Sequence, residues 1–359
     1  MELTKCKLGE LITQRREKND GSDLPICGVS KDGLIPPKQK DADTSIYNVF
    51  YRDDFIFNPA RMELNSIAIN DMYDRAICSS LYEVFYVHRT DLLLPHYLEL
   101  IIRQKWFTRY CEFLGQGSAR EYCRFGNISE IEIEFPPIEE QQKIVEYNTA
   151  IENRIALKQK INDNLAEYLN CIYVELAKEV QETTALSTIC QYVTDKAVFS
   201  DIKSSVYIST ENILPDKQGV AVFGTASPSE RVVHFREEDV LVSNIRPYFK
   251  KMWFATTEGG CNADVLCFRA LDKRFSYLLK SIMYQDGFFD YVMSGAKGTK
   301  MPRGDKKHIM QYQIPWFSDG QLHKFNALAS SIEQNQALNR QEMSSLEASK
   351  EVLLATLSR

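Results

Sequence analysis

The chain has 359 residues, 44% of them hydrophobic, and a formal net charge of −6. That length allows two or three domains with ordinary cores and excludes a disordered chain, while the lack of an N-terminal apolar run or any eighteen-residue apolar stretch predicts a soluble, cytoplasmic protein with no membrane span. Nine cysteines without a CxxC pair argue against a disulfide framework or a zinc knuckle.

Residues 1–135 read as one mixed domain. Leu8 to Lys18 predicts a short helix ended by Gly21 to Asp23. Leu24 to Lys40 suggests a strand, a turn at Asp32-Gly33 and a Pro-stiffened loop. Asn48 to Ile69 alternates aromatic and polar residues in two runs around Asn58-Pro59, as paired strands would, and Ala76 to Arg89 continues the sheet. The one clear helix, Leu92 to Leu114, has Pro95 near its start and Leu98, Ile101, Ile102, Trp106 and Tyr110 on its inner side. A small-residue loop, Gly115 to Arg120, and a short strand follow.

Pro136 to Glu182 then forms a rod. After its Pro-Pro pair no Pro or Gly occurs until Gly219, and Ile144, Ile151, Ile155, Leu165, Leu169, Ile172 and Leu176 recur at helical steps on one narrow face. Such a helix extends roughly 65 Å and must bury its stripe. A second rod, Pro315 to Arg359, supplies a partner: at a shift of 181 residues Ile151, Leu157, Leu165, Ile172 and Leu176 fall on Ile332, Leu338, Leu346, Leu353 and Leu357.

Between the rods, residues 183–314 repeat the first domain. Leu186 to Val193 stands where Leu8 to Leu11 stood; Val206 to Lys217 matches Cys27 to Lys38 at a shift of 179; Phe235 to Pro247 matches Phe50 to Arg61 at 185, with Asp239 on Asp54 and Arg246 on Arg61. The helix and the loop after it repeat as Ser276 to Val292 and Ser294 to Lys307. Five blocks in one order define a duplicated unit. The predicted fold is α+β: two tandem mixed α/β domains, 1–135 and 183–314, each followed by a long helix, 136–182 and 315–359. Those helices pair as an antiparallel coiled coil with pseudo-two-fold symmetry, which would place the two domains at opposite ends of a spacer. The seam residues are Ile144, Ile151, Ile155, Leu165, Ile172 and Leu176 against Ile332, Leu346, Leu353 and Leu357, with Asn148, Lys158, Asn335 and Asn339 favouring one register.

The two rods hold −5 of the net charge, so the domains are near neutral and their basic clusters can meet phosphate. The candidate DNA-binding residues are Arg120 and Arg124 beside Gly117 and Ser118; Lys297, Lys300 and Arg303 beside Gly298 and Thr299; Arg61 and Arg246 at equivalent places; and Tyr248, Lys250 and Lys251, which interleave an aromatic ring with charge. The histidines form no HExxH or HxH pair, no glycine-rich loop has a following GK[ST], and no Asn-Pro-Pro-aromatic stretch occurs, so neither catalysis nor a metal is expected. The carboxylates Asp53, Asp54 and Glu237 to Asp239, and Glu130, Glu132 and Glu134, are explained as solvated strand edges. Two heads at a fixed separation suit duplex DNA, which repeats in space; the alternatives are a fused methyltransferase or nuclease remnant and a two-headed protein-binding scaffold.

The loop Gly115 to Arg120, then Ile128, Ile131 and Ile133, then FPPIEEQQKIVEYNTAIENRI, Phe135 to Ile155, recur as Gly295 to Asp305 and Ile314 to Asn335. In these features the chain resembles, over nearly its whole length, the DNA-specificity (S) subunits of type I restriction-modification systems. The second copy departs from the pattern, with Pro-Trp-Phe-Ser-Asp-Gly-Gln in place of Pro-Pro-x-Glu-Glu-Gln. The resemblance implies a non-catalytic subunit that reads a bipartite, asymmetric sequence in double-stranded DNA for methylation and phage defence. It also implies two docked methyltransferase subunits and, in a full complex, restriction/translocase subunits. S-adenosylmethionine, ATP and Mg would be carried by those partners, with no cofactor bound by this chain.

Overall fold

Phe55-Ile56-Phe57 and Val240-Leu241-Val242 are apolar at every position, a pattern that a strand keeps when both of its faces are covered. The computed structural model, which describes residues 3–31, 33–37, 43–114, 122–204, 206–220, 222–227 and 229–357, covers both runs on both faces.

The first domain contains β1 (Thr4–Lys7), β2 (Ile12–Arg15), β3 (Ile26–Ser30), β4 (Gly33–Ile35), β5 (Asn48–Tyr51), β6 (Phe55–Phe57), β7 (Ile67–Ile69), β8 (Arg75–Cys78) and β9 (Glu83–Val87). Helices α1 (Pro95–Ile102), α2 (Lys105–Leu114) and α3 (Phe125–Ser129) follow, then β10 (Glu132–Phe135) and the long α4 (Ile138–Lys178). One sheet has the order β2-β9-β6-β7 and a second β4-β3-β8-β5, while β1 pairs with β10. Phe55, Phe57 and Phe85 face a core shared with Leu98, Ile101 and Phe107 of the helices, and Ile56 and Val84 face Phe50, Ala76 and Cys78 of the second sheet. The layers are therefore helix, sheet, sheet.

The second domain repeats this plan. It holds β11 (Thr183–Ala185), β12 (Cys190–Tyr192), β13 (Lys196–Val198), β14 (Tyr207–Ile208), β15 (Arg231–Phe235), β16 (Val240–Ser243), β17 (Met252–Phe254), β18 (Gly259–Cys261) and β19 (Val265–Ala270). Then come α5 (Ser276–Met283), α6 (Asp286–Ser294), α7 (Lys306–Ile309), β20 (Gln313–Pro315) and the long α8 (Asp319–Thr356). The order β12-β19-β16-β17 reproduces the first sheet strand for strand, and β11 pairs with β20 as β1 does with β10. In the other sheet β14 lies parallel to β18, as β3 does to β8, but the remaining strand is added at the opposite edge: β4 pairs with β3, whereas β13 pairs with β15, the counterpart of β5. Strand pairing aligns Ile26 and Cys27 with Tyr207 and Ile208, a shift of 181 and not 179. The two-residue slip leaves every side chain on the same face, which is why the sequence alone tolerates it.

Several elements differ from expectation. Leu8 to Lys18 is no helix: a 3-10 turn, Leu8–Glu10, leads into β2. The expected helix from Leu92 to Leu114 is two, broken at Arg103-Gln104, and the change of phase buries Phe107 and Cys111 while Tyr110 turns outward. Glu130, Glu132 and Glu134 are exposed and meet Lys7 and Lys5, as solvated edges should. Asp54 and Asp239 are not solvated. Each is buried and holds a bidentate arginine: Arg15 Nε and Nη2 donate to Asp54 at 2.6 and 3.1 Å, and Arg269 Nε and Nη2 to Asp239 at 2.8 and 2.6 Å. Each carboxylate also accepts a main-chain N–H, from Tyr51 and Arg236, closing the tight turn before β6 or β16.

The chain divides into two compact units, Met1–Leu157 with Gln341–Arg359, and Lys158–Arg340. In the first unit α4 begins after Pro136-Pro137 with Glu139 and Glu140 in its first turn, where they complement the helix dipole. Gln141, fully buried, donates to Leu92 O and Pro136 O (2.7 and 2.8 Å) and accepts from Leu94 N–H (2.9 Å), fixing the helix to the domain. In the second unit α8 begins with a Ser318/Gln321 capping box, which replaces the Pro-Pro start. Within each unit the helices run antiparallel. In the first, Glu152 meets Lys350 and Arg154 meets Glu342, both at 2.5 Å, while Ile144 and Leu357 pack on the same core. In the second, Lys158 meets Asn339 (3.0 Å), and Tyr173 lies edge-on to Phe325 with ring centroids 6.4 Å apart.

The predicted seam residues Ile151 and Ile332 are buried, and Ile144, Ile155, Leu165, Ile172, Leu176, Leu346, Leu353 and Leu357 are half-buried. Asn148 is buried, but Asn335 is exposed and bonds its own helix at Ser331 O. Its neighbour Gln336 takes the seam position, donating to Asn162 O (2.8 Å), while Asn339 donates to Asn162 Oδ1 (2.8 Å).

Two outcomes follow. Asp239→Ala, which strands Arg269 in a largely buried site, lowers unfolding free energy by about 3 kcal/mol in chemical denaturation, and a loss below about 1 kcal/mol contradicts the assignment. Replacing Asn162, Gln336 and Asn339 together by Leu raises the melting temperature while broadening the distance distribution between spin labels on α4 and α8; a narrow distribution would show that these amides do not select the register.

Candidate nucleic-acid interface

In each domain one turn crosses from the third to the fourth strand of the first sheet, from β6 to β7 and from β16 to β17. In the first domain this is Asn58 to Ser66. Asn58 Oδ1 accepts the Ala60 N–H (3.1 Å), Pro59 starts a 3-10 turn, and Asn65 closes it in the left-handed region at φ 52°. In the second domain Pro247–Phe249 forms the equivalent turn, with Arg246 (φ 49°) before it and Lys250 (φ 50°) after it, both left-handed. Lys250 stands at the position of Asn65, and Arg246 at that of Arg61.

The segment following the second helix of each domain packs against this turn. Cys123 N–H donates to Pro59 O (3.1 Å), and Arg246 N–H donates to Pro302 O (2.9 Å), with Ile245 bridged to Arg303. The structure thus brings together segments that are far apart in the sequence: Arg61 with Arg124 along one groove, and Arg246, at the start of the turn that carries Tyr248, Lys250 and Lys251, with the loop that carries Lys297, Gly298, Thr299, Lys300 and Arg303. The candidates Gly117, Ser118 and Arg120 lie outside the described residues.

Around the first turn lies an open groove of about 1520 Å³. Its lining includes Lys31, Tyr47, Asn58, Arg61, Asn65, Ser79, Tyr82, Arg103 and Arg124, a mixture of cations, amides and hydroxyls. Arg124 stacks over Tyr122 (5.7 Å to the centroid) and donates to Glu83 (3.2 Å), and Arg103 donates to Lys31 O (2.9 Å). Arg61 is exposed. Asn58, Asn65 and Arg103 escape the sequence reading, the first two because an Asn-Pro step and a lone Asn look like turn punctuation.

The second cluster is largely committed to protein partners. Lys250 pairs with Asp286 (3.0 Å), which also holds Lys217 (2.7 Å); Lys251 donates to Thr210 O (2.8 Å); Arg303 donates to Asp264 (3.2 Å). Tyr248 and Phe249 are exposed, their ring centroids 4.7 Å apart. Gly298, at φ +96°, supplies a left-handed bend between Lys297 and Thr299. Lys297 Nζ donates to Asp305 (2.6 Å), and this bond, with the N–H groups of His308 and Lys307, holds the Asp305 carboxyl down to about 2. Among the described residues no three His, Cys, Asp or Glu side chains come together as metal ligands, and no helix is long and apolar enough to cross a membrane.

In both domains the same sheet thus carries cations, amides and aromatic rings on its loops. Comparison with known proteins adds a family match. Residues 6–167 match the family described as type I restriction modification DNA specificity domain. Similar solved structures include an S subunit of a type I restriction-modification system from M. genitalium, 13% identical, covering 99% of this chain and 96% of that one with a TM-score of 0.59. Another is a chain from the structure of an assembled type I restriction-modification system (17% identity, 99% and 97% coverage, TM-score 0.48). A third is the HsdS subunit from Thermoanaerobacter tengcongensis (17%, 99% and 96%, 0.41). No curated protein matches. Residues 6–167 thus match the type I restriction modification DNA specificity domain, and the chain as a whole shares the fold of the S subunit from M. genitalium.

Asp305 gives a test of the loop geometry. Because its folded value lies below the ordinary 3.8, the Lys297 tether is intact above about pH 4 and is lost as pH falls through 2. Carboxyl-carbon NMR should place the Asp305 midpoint near 2; a midpoint near 4 contradicts the tether.

Proposed function

We propose that the chain is the non-catalytic, cytoplasmic recognition subunit of a methyltransferase/endonuclease complex, and that it reads a bipartite, asymmetric target in double-stranded DNA. The observation that carries this reading is a repeated scaffold with unlike readers: the same strand order presents Asn58, Arg61 and Asn65 in one domain and Arg246, Tyr248 and Lys300 in the other. Equivalent platforms with different donors and acceptors select different bases, since each base pair shows its own pattern in the major groove. Each mismatch in either half should lose about 1–3 kcal/mol.

The long helices would set the number of unread base pairs between the halves, and the heptad spacing that each keeps supports this reading. Beside its seam α4 exposes Tyr147, Leu157, Ile161 and Tyr168 along one stripe, the kind of apolar surface that a protein partner covers. We assign it to one of two methyltransferase subunits, with restriction/translocase subunits joining in a full complex. S-adenosylmethionine, ATP and Mg would act on those partners, and this chain would bind none of them.

Mapping modified bases in DNA exposed to the chain with its methyltransferase partner tests the proposal. Two short specified blocks separated by a constant unspecified gap are expected. A single continuous motif would refute it, as would turnover by this chain alone with a methyl donor or a divalent metal.

A further inference from the structure

The cations at the two turns are not equal. In the second domain Lys250, Lys297 and Arg303 are each paired with a carboxylate, and Lys251 with a main-chain carbonyl. Their charge and donors are already spent on holding the turn and the loop in place. Arg246 and Lys300 have no protein acceptor among the described residues. In the first domain Arg124 is paired with Glu83 and Arg103 with Glu99, whereas Arg61 has no such acceptor. The strand registers make Arg61 and Arg246 the same position of the duplicated fold. The arginine left uncommitted therefore occurs at one place, twice.

In the second domain three further features single out that place. Arg246 sits in the left-handed region at φ 49° although it is not a glycine, and such strain collects where a side chain must be aimed. Its Nε is buried without an acceptor, as is Oδ1 of Asn244 two residues earlier, and Asn244 is itself 9% exposed. A buried donor and a buried acceptor are thus both left unmet by the protein beside the Arg246 guanidinium. Gly304 lies close against this group, since a Cβ there would come to 3.0 Å from Asn244 Oδ1.

Resting on the reading of the chain as a DNA-sequence reader, we infer that Arg61 and Arg246 are the base-reading arginines of the two domains. Each presents its guanidinium to the O6 and N7 edge of one guanine in the major groove. Arginine is suited to this because its planar, pre-organised fork matches the two acceptors in one plane, a geometry that a flexible lysine ammonium holds less strictly. The paired cations around it position the turn. Lys300, on the loop bent at Gly298, contacts phosphate and contributes no base preference.

The test uses the chain with its methyltransferase partner and a duplex library in which every position of the mapped target is varied in turn. Arg246→Lys keeps the charge, and Arg246→Asn suits the left-handed backbone, so both variants should fold with parental melting curves. Each should lose the preference for guanine at one position of one half-site by about 5- to 150-fold, with the other positions unchanged. Arg61→Lys should do the same in the other half-site. Lys300→Ala should weaken all sequences alike and reduce the salt slope by about one. The inference is overturned if Arg246→Lys keeps every preference, if it weakens all sequences alike as Lys300→Ala does, or if neither half-site specifies a guanine. A parental complex without any sequence preference would instead refute the proposed function itself.

Discussion

Helices of 41 and 38 residues, each with an apolar stripe at heptad spacing, are unstable in water unless the stripes are covered. In each compact unit a length of α4 covers a length of α8 running the other way. Both helices keep alternating steps of three and four residues from end to end: Gln141, Ile144, Asn148, Ile151 and onward in one, Leu322, Phe325, Ala329, Ile332 and onward in the other. The seam is not wholly apolar. Asn162, Gln336 and Asn339 bond across it in a buried layer, which trades some stability for a single register.

Each domain is tied to its long helix by short-range chemistry and not by a flexible hinge. Gln141 binds the chain before α1, and Phe317, Leu322 and Phe325 enter the core of the second domain. The two domains then share a frame while differing at its rim. The buried ion pairs show how closely the frame is kept. Asp54 and Asp239 are equivalent, yet Arg15 comes from β2 and Arg269 from β19, at the position where the first domain has Tyr86. In the first domain Arg15 lies over the Tyr86 ring at 4.6 Å, so a cation fills the same space from the neighbouring strand. The turn preceding β6 or β16 needs its carboxylate satisfied, and either strand can supply the donor.

Much of this is legible in the sequence because it is periodic. The duplicated order, the long helices and the equivalence of Arg61 with Arg246 all follow from spacing. Single-residue choices are harder. Leu8, Leu11 and Ile12 imitate a helical face, but the first two line a 3-10 turn and the third begins a strand. Asn335 looks like the seam amide until Ala329 is recognised as a seam position, after which the next steps lead to Ile332 and Gln336. Asp54 and Asp239 look solvated because their arginines lie 39 and 30 residues away. The break between α1 and α2 has no Pro or Gly to announce it. At the interface the cationic clusters are legible as clusters, but which members are already paired depends on Asp264, Asp286 and Asp305, and no spacing rule reveals those partners.

The central claim is that one DNA-reading fold occurs twice and that each copy reads its own half of the target. Replacing residues 183–314 by a second copy of residues 1–135 and mapping the bases then modified, with the methyltransferase partner present, tests it most directly. The first domain's half-site should appear on both sides of the gap. Retention of the original asymmetric target would contradict the claim.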